Sequence, residues 1–201
     1  MQRLIRKLPL ATALVVALLI FNTAAASAAD NAQLIRSGRT TVYLSTGFLN
    51  ALSTLHVTPG VVSPTQIYIN PLRVPFPITS GVIDLNSAET QILHSGGLTL
   101  TAGNKTVTLS SFIIDNTTGR LSISGLVQVN STLVGRVVLF DLTPPKNLTL
   151  PLVPSNGLLN LKFFTVKLDA AGASALNSVF GTTALSDSVV VGSAGVYAAI
   201  E

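Results

Sequence analysis

The chain has 201 residues, is 48% hydrophobic and only 10% charged, carries a formal net charge of +4, and contains no cysteine. The lack of cysteine excludes disulfide bonds, thiolate metal sites and cysteine nucleophiles. The positive charge does not indicate nucleic-acid binding, because Arg3, Arg6 and Lys7 supply three of the twelve basic residues and the other nine are scattered singly.

The N-terminal residues have the pattern of a secretory signal peptide. Three basic residues precede an apolar run from residue 8 to 21, and Ala26-Ser27-Ala28 fits a small-x-small cleavage site. The run is shorter than the roughly 20 apolar residues that span a bilayer. We predict a signal peptide over residues 1–28, contact with the membrane only during export, and a secreted or cell-surface protein. An uncleaved N-terminal membrane helix is the alternative.

Residues 29–201 are predicted to form one domain, whose first half contains short strands and one helix. The predicted strands cover residues 39–44, 65–69, 81–85 and 91–94. Ser45 or Thr46 caps a helix that ends before Thr58-Pro59-Gly60. Val42 and Leu44 share one face of the first strand. The prolines at 71, 75 and 77 predict an edge strand or an irregular connection.

The second half continues with strands, followed by a helix and a last strand. The predicted strands cover residues 98–102, 106–115, 121–129, 133–142, 148–153, 158–168 and 189–200. The apolar parity changes within the 106–115 strand, which predicts a bulge near Ser110-Ser111. Asp169 and Gly181 are predicted to begin and end a helix that buries Leu176, Val179 and Phe180. Together the elements predict an all-β fold: an antiparallel β-sandwich, Ig-like or barrel-like, with two short helices.

The side chains that catalysis needs do not form a recognisable pattern. The chain has no Gly-x-Ser-x-Gly elbow, and most acidic residues stand singly at strand ends or turns. The two histidines, His56 and His94, are far apart in sequence, which does not favour a metal cluster. We therefore predict a protein that is not an enzyme, with a small hydrolase as the weaker alternative.

Two stretches resemble the Htaa domain of secreted and surface haem-uptake proteins of actinobacteria. They are Phe76-Pro-Ile-Thr-Ser-Gly81 leading to His94-Ser-Gly-Gly-Leu98, and the tail from Val166 to Leu176. The resemblance implies a bacterial source, a two-sheet β-sandwich with short helices, and haem as the possible cofactor or partner.

The same resemblance implies a set of cofactor-binding residues. His94 matches the family's histidine, which assists an axial tyrosine ligand, and Ala51 stands where the family has that tyrosine. Tyr43 and Tyr68 are the candidates to replace it, so His94, Tyr43 and Tyr68 are the predicted haem-contacting residues. The alternative interpretation of His94 is an ordinary turn histidine.

A second function class also fits the composition. Low charge and many strands rich in Thr, Val and Ile suit a structural or matrix protein that self-associates at the cell surface, since strand edges can pair with other chains. The first hypothesis is thus a secreted binding module for haem or another surface partner. The second is a self-associating surface protein without a small-molecule ligand.

Overall fold

The computed structural model describes residues 31–201, so the predicted signal peptide lies outside the described residues. The elements are β1 Ala32–Leu44, α1 Thr46–Thr54, β2 Thr58–Val62, β3 Tyr68–Ile69, β4 Leu72–Asp84, β5 Thr90–His94, β6 Gly97–Ala102, β7 Lys105–Asp115, β8 Ser122–Val129, β9 Thr132–Thr143, β10 Leu158–Leu168, α2 Ala170–Phe180 and β11 Val190–Ile200. Neither helix in this part of the chain has the length and apolarity that crossing a membrane requires.

Eight of the strands form a closed antiparallel barrel. Their order is β7-β5-β4-β1-β11-β10-β9-β8, and pairing of β8 with β7 closes the ring. The predicted antiparallel all-β class is confirmed. The two-sheet sandwich is replaced by the barrel-like form, because β11 pairs with β1 on one side and β10 on the other. These two pairings connect β1, the first strand, to β10 near the end of the chain. The sheet is therefore continuous there and is not divided into two separate sheets.

Three short strands extend the ring without closing it. β6 pairs with β7 outside the eight-strand path, β2 pairs with β6, and β3 pairs with β4. The prediction missed β2, because Pro59-Gly60 is typical of a turn. Proline is tolerated there because β2 is the last strand of the path and, within residues 31–201, pairs only with β6.

The proline-containing strand β4 is longer than predicted. It runs from Leu72 to Asp84 and pairs with β1 along most of that length. The pairing of β4 with β5 begins only at Ile78 opposite His94. Pro75 and Pro77 therefore lie in a part of β4 that is locally an edge, where a missing N–H group interrupts no ladder on the β5 side. Of the two predicted alternatives, the irregular connection was wrong. The edge strand holds for the part of β4 that contains Pro75 and Pro77.

Two other predicted strands differ from the structure. The strand predicted over 65–69 is reduced to Tyr68–Ile69, and residues 148–153 form no strand. The second segment contains Pro151, and its backbone is fixed instead by the Leu152 N–H, which donates to the Leu85 carbonyl oxygen at 2.6 Å. Alternating apolar residues predicted a strand, but Leu152 is buried against the barrel without strand pairing.

The predicted bulge in β7 is confirmed. The register of β7 against β8 shifts between Ser110 and Ile113, and Ser111 has a φ of 51°. The extra residue lets Val107 and Leu109 before it and Phe112 after it all point into the barrel, where all three are buried. The Phe112 ring meets that of Phe76 edge to face, with the centroids 5.2 Å apart.

The two helices begin at corresponding points of the barrel, after β1 and after β10. The Ser45 side chain caps α1 by accepting from the Phe48 N–H at 3.0 Å. Asp169 caps α2 by accepting from the Ala171 N–H at 2.7 Å, and it also pairs with Arg120. Gly181 ends α2 in the left-handed conformation, with a φ of 66°. The predicted caps and C-terminal stop are confirmed.

The buried face of α2 is shifted toward its first turns relative to the prediction. Leu176 is buried as expected, but Val179 and Phe180 are only half-buried. The closest approach is made by Gly172, where a Cβ would lie 2.6 Å from the Leu139 carbonyl oxygen. Because the first turns lie tightly against β9, the last turn is held further from the core.

Candidate ligand-binding cavity

A partly open apolar cavity with a volume of about 170 Å³ lies between the barrel and the helices α1 and α2. Inward-facing side chains of the strands and both helices line it, including Phe48, Leu72, Leu98, Leu109 and Leu176. Of the lining residues in the described part of the chain, only Thr40 and His94 are polar. Every polar interaction that this cavity offers through its side chains therefore comes from one hydroxyl and one imidazole.

The imidazole of His94 is held at both nitrogens. Its Nδ1 lies 3.2 Å from the Phe112 carbonyl oxygen, and its Nε2 lies 2.7 Å from Thr40 Oγ1. A carbonyl oxygen only accepts hydrogen bonds, so Nδ1 carries the proton and donates it. In the neutral ring, Nε2 then accepts from the Thr40 hydroxyl. The lone pair of Nε2 is thus the one strong electron-pair donor among the side chains of this cavity.

Burial keeps this imidazole neutral. His94 is only 6% exposed. Desolvation lowers its pKa from 6.5 to about 4, and the hydrogen bond to the Phe112 carbonyl only partly opposes that change. Near neutral pH the ring is therefore a potential ligand and hydrogen-bond acceptor, and it carries no positive charge.

The residues after His94 show why this turn needs two glycines. Gly96 has a φ of 81°, and a Cβ there would collide with the Thr65 hydroxyl. A Cβ on Gly97 would collide with the Leu109 carbonyl oxygen. The turn alternative for His94 does not match its place, because His94 is the last residue of β5 and its ring points inward.

A second polar group, near this turn, lacks a partner. Thr65 Oγ1 is buried and has no hydrogen-bond partner among residues 31–201, and Thr65 as a whole is 4% exposed. Leaving a hydroxyl buried and unsatisfied costs about 1–3 kcal/mol. A polar group of a ligand that reached Thr65 would recover that free energy.

The structure does not bring the two candidate tyrosines to His94. Tyr43 alternates with Val42 and Leu44, which line the cavity, and its own ring is exposed on the outside of the barrel. Tyr68 is also exposed, stacks with the Arg73 guanidinium 4.8 Å from its ring centroid, and donates to Gln66. The assignment of His94, Tyr43 and Tyr68 to haem stays a prediction, and of the three only His94 lines the cavity.

One residue of the site was missed in the sequence, Thr40. Thr40 lies on the same face of β1 as Val42, so a buried polar residue within an apolar row was the available signal. Within residues 31–201, no three His, Cys, Asp or Glu side chains stand close enough to hold a metal ion.

Three solved structures from Corynebacterium glutamicum are similar to this chain. The C-terminal domain of HtaA matches with a TM-score of 0.62 and 14% identity, over 84% of this chain and 99% of that one. Heme binding protein HtaB matches with a TM-score of 0.55 and 11% identity, over 85% and 95%. The N-terminal domain of HtaA matches with a TM-score of 0.54 and 14% identity, over 83% and 98%.

The chain is similar to these three domains in structure, whereas its sequence is only 11–14% identical to theirs. No protein-family model matches the chain, and no curated protein matches it. The similarity extends over nearly the whole length of each of the three domains. The Htaa-like fold that the sequence predicted is therefore confirmed: this chain has the fold of the HtaA and HtaB domains.

Proposed function

We propose that the chain is a secreted, non-enzymatic haem-binding module of a bacterial cell surface. The single observation that carries the proposal is the neutral imidazole of His94 in a cavity whose other lining residues within 31–201 are apolar apart from Thr40. The shared fold with the heme binding protein HtaB supports the identity of the ligand. The signal-peptide pattern of the first 28 residues supports export.

The residues of the cavity fit the chemistry of haem in two respects. A porphyrin has a large apolar plane, and the described residues that form the walls are apolar apart from Thr40 and His94. Histidines that bind metals commonly donate their other N–H to a carbonyl group, as His94 Nδ1 does to Phe112. When bound, haem would supply an iron that accepts one electron pair. His94 Nε2 would hold it.

The size of the cavity determines what else binding requires. Its volume of about 170 Å³ is below the roughly 300–1,000 Å³ of typical small-molecule sites. A porphyrin would therefore enter only if the cover over the cavity moved outward. Ile67 lines the cavity and is nevertheless 38% exposed, which marks the segment between β2 and β3, together with α1, as that cover.

Titration of the purified protein with haemin tests the proposal. The wild-type protein is expected to shift the Soret band, and His94→Ala is expected to weaken binding at least about tenfold, which corresponds to about 1.4 kcal/mol. Tyr43→Phe and Tyr68→Phe are matched controls. They should bind as the wild type does, because both rings lie outside the barrel.

Two results would contradict the proposal. One is a wild-type protein that gives no Soret shift. The other is a shift that His94→Ala leaves unchanged. If Tyr43→Phe or Tyr68→Phe lost haemin binding while His94→Ala kept it, the haemin site would lie on the outer face of the barrel and not in the cavity.

Self-association through a strand edge and contact with other surface partners stay predictions of the sequence. The outer edge of β2 is the place where a second chain could pair, and Pro59 interrupts the row of N–H groups there.

A further inference from the structure

The exposed aromatic side chains of residues 31–201 are concentrated on one outer surface of the barrel. They are Tyr43, Tyr68, Phe163 and Tyr197. They belong to β1, β3, β10 and β11, which together with β4 are neighbours in the order β3-β4-β1-β11-β10. None of the four lines the cavity beside His94. Clustered exposed aromatic residues mark a surface that contacts another molecule.

The centre of this surface is formed by the three neighbouring strands β1, β11 and β10. Arg39 lies opposite Tyr197, and its guanidinium is 5.5 Å from the centroid of the tyrosine ring. Tyr43 lies on the same outer face of β1, four residues further along. The outward positions of β11 between these rings are the small residues Ser193 and Gly195, so the aromatic and cationic side chains project beyond the centre of the surface.

A bulge in β10 adds two outward side chains. Leu161 and Phe164 both line the interior of the barrel, and the two residues between them, Lys162 and Phe163, stand together opposite Gly195. Phe163 is 73% exposed and has a φ of 65°. A bulky residue rarely adopts this left-handed conformation, and strained positions of this kind concentrate at functional sites. The fold thus holds an apolar ring outward in solvent.

The charge of the same three strands is positive. Within the described residues, β1, β10 and β11 contain four basic residues and no Asp or Glu. Arg36 pairs with Glu201, and Lys167 has an aspartate opposite it on β9. Arg39 and Lys162 have no carboxylate within 4.0 Å in residues 31–201. This surface is therefore complementary to one that carries negative charge.

The combination of side chains favours a lipid surface over a soluble polyanion. A polyanion such as an acidic polysaccharide would pair with the cations but would offer the Phe163 ring no apolar phase. A bilayer offers both, because tyrosine rings are favoured at its interface and anionic lipids attract Lys and Arg. Neighbouring strands lie about 4.8 Å apart, so a plane that touches β11 also reaches the outward side chains of β1 and β10.

We propose that the outer face of β1, β11 and β10 binds the surface of a membrane that contains anionic lipids. The Phe163 ring enters the boundary between head groups and acyl chains, and Arg39 and Lys162 lie among the head groups. Binding of this kind increases with the apolar area that is buried and with the attraction to anionic lipids. The proposal extends membrane contact from the predicted export step to the folded chain, and it does not depend on haem.

Co-sedimentation with vesicles tests the charge requirement. The wild-type protein should bind vesicles of about three parts phosphatidylcholine to one part phosphatidylglycerol more tightly than vesicles of phosphatidylcholine alone. Lys162→Gln should weaken binding to the anionic vesicles about fivefold, which corresponds to about 1 kcal/mol, and leave binding to the neutral vesicles unchanged. Lys146→Gln, at an exposed lysine outside the three strands, is the matched control and should change neither.

Replacing the exposed ring tests the apolar contact. Phe163→Asn should retain the fold, because asparagine adopts the left-handed conformation more readily than phenylalanine, and circular dichroism would show this. It should weaken binding to the anionic vesicles about fivefold, the effect of partly burying one aromatic side chain. Leu133→Asn, at a leucine of β9 that is 58% exposed, is the matched control and should bind as the wild type does.

Three results would overturn the proposal. The first is a wild-type protein that does not bind the anionic vesicles. The second is a Phe163→Asn variant that binds them as tightly as Leu133→Asn does. The third is binding to immobilised heparin without binding to vesicles, which would assign this surface to a soluble polyanion. Haemin titration of Phe163→Asn should match the wild type, because Phe163 lies outside the cavity beside His94.

Discussion

A protein that lacks residues 181–201 is expected to lose its cooperative unfolding transition and to aggregate. The deletion removes β11, which lies inside the ring and pairs with both β1 and β10. It also removes Val191, Ala194, Val196 and Ala198 from the core, all of them buried. Without β11 the ring opens, leaving two long strands with unpaired N–H and C=O groups, which are sites for aggregation.

Thermal unfolding followed by circular dichroism measures this effect. Tyr197→Ser is a suitable control, because the Tyr197 side chain is exposed and the substitution leaves the pairing of β11 intact. The control should melt cooperatively near the wild-type temperature. If the truncated protein also did so, the closed barrel described above would be wrong.

Lowering the pH from 6.5 to 4 is expected to destabilise the fold through His94. In the unfolded chain its pKa is near 6.5, whereas burial lowers the folded-state pKa to about 4. Between these values the unfolded state binds a proton that the folded state excludes, so the free energy of unfolding falls as the pH falls. At about 1.4 kcal/mol for each unit of difference, His94 accounts for a loss of about 3 kcal/mol.

Urea denaturation at a series of pH values between 7 and 4.5 measures the slope. His94→Gln should flatten it. Asp84, Asp115 and Asp169 have lowered pKa values, so their contributions are lost at lower pH than that of His94. A slope that persists in His94→Gln would show that this imidazole is not held neutral by the fold.

Local features of the fold could be predicted because they depend on neighbouring residues. The capping side chains of Ser45 and Asp169, the C-terminal Gly181 and the bulge near Ser110 are each visible within a few positions. Closure of the barrel was not predictable in the same way. It depends on the pairing of β1 with β11, which are separated by most of the chain, and both a sandwich and a barrel satisfy the same alternation of residues.

The candidate site was predictable in part for the same reason. The motif around His94 is local, but its partner Thr40 lies 54 positions away and resembles the other threonines of the strands. The position of Tyr43 could have been inferred, because Val42 and Leu44 were placed on one face, so the residue between them faces the other side. Thr65 reaches the same turn only through the irregular segment between β2 and β3, which no periodicity describes.

The haemin affinity of Thr40→Val tests most directly the claim that the cavity beside His94 receives haem at Nε2. Valine keeps nearly the shape of threonine and removes the hydroxyl that occupies the Nε2 lone pair at 2.7 Å. A haem iron would then no longer compete with that hydrogen bond, which is worth about 0.5–1.5 kcal/mol. We predict that Thr40→Val binds haemin about twofold to tenfold more tightly than the wild type. An affinity that is unchanged or lower in Thr40→Val would contradict the account.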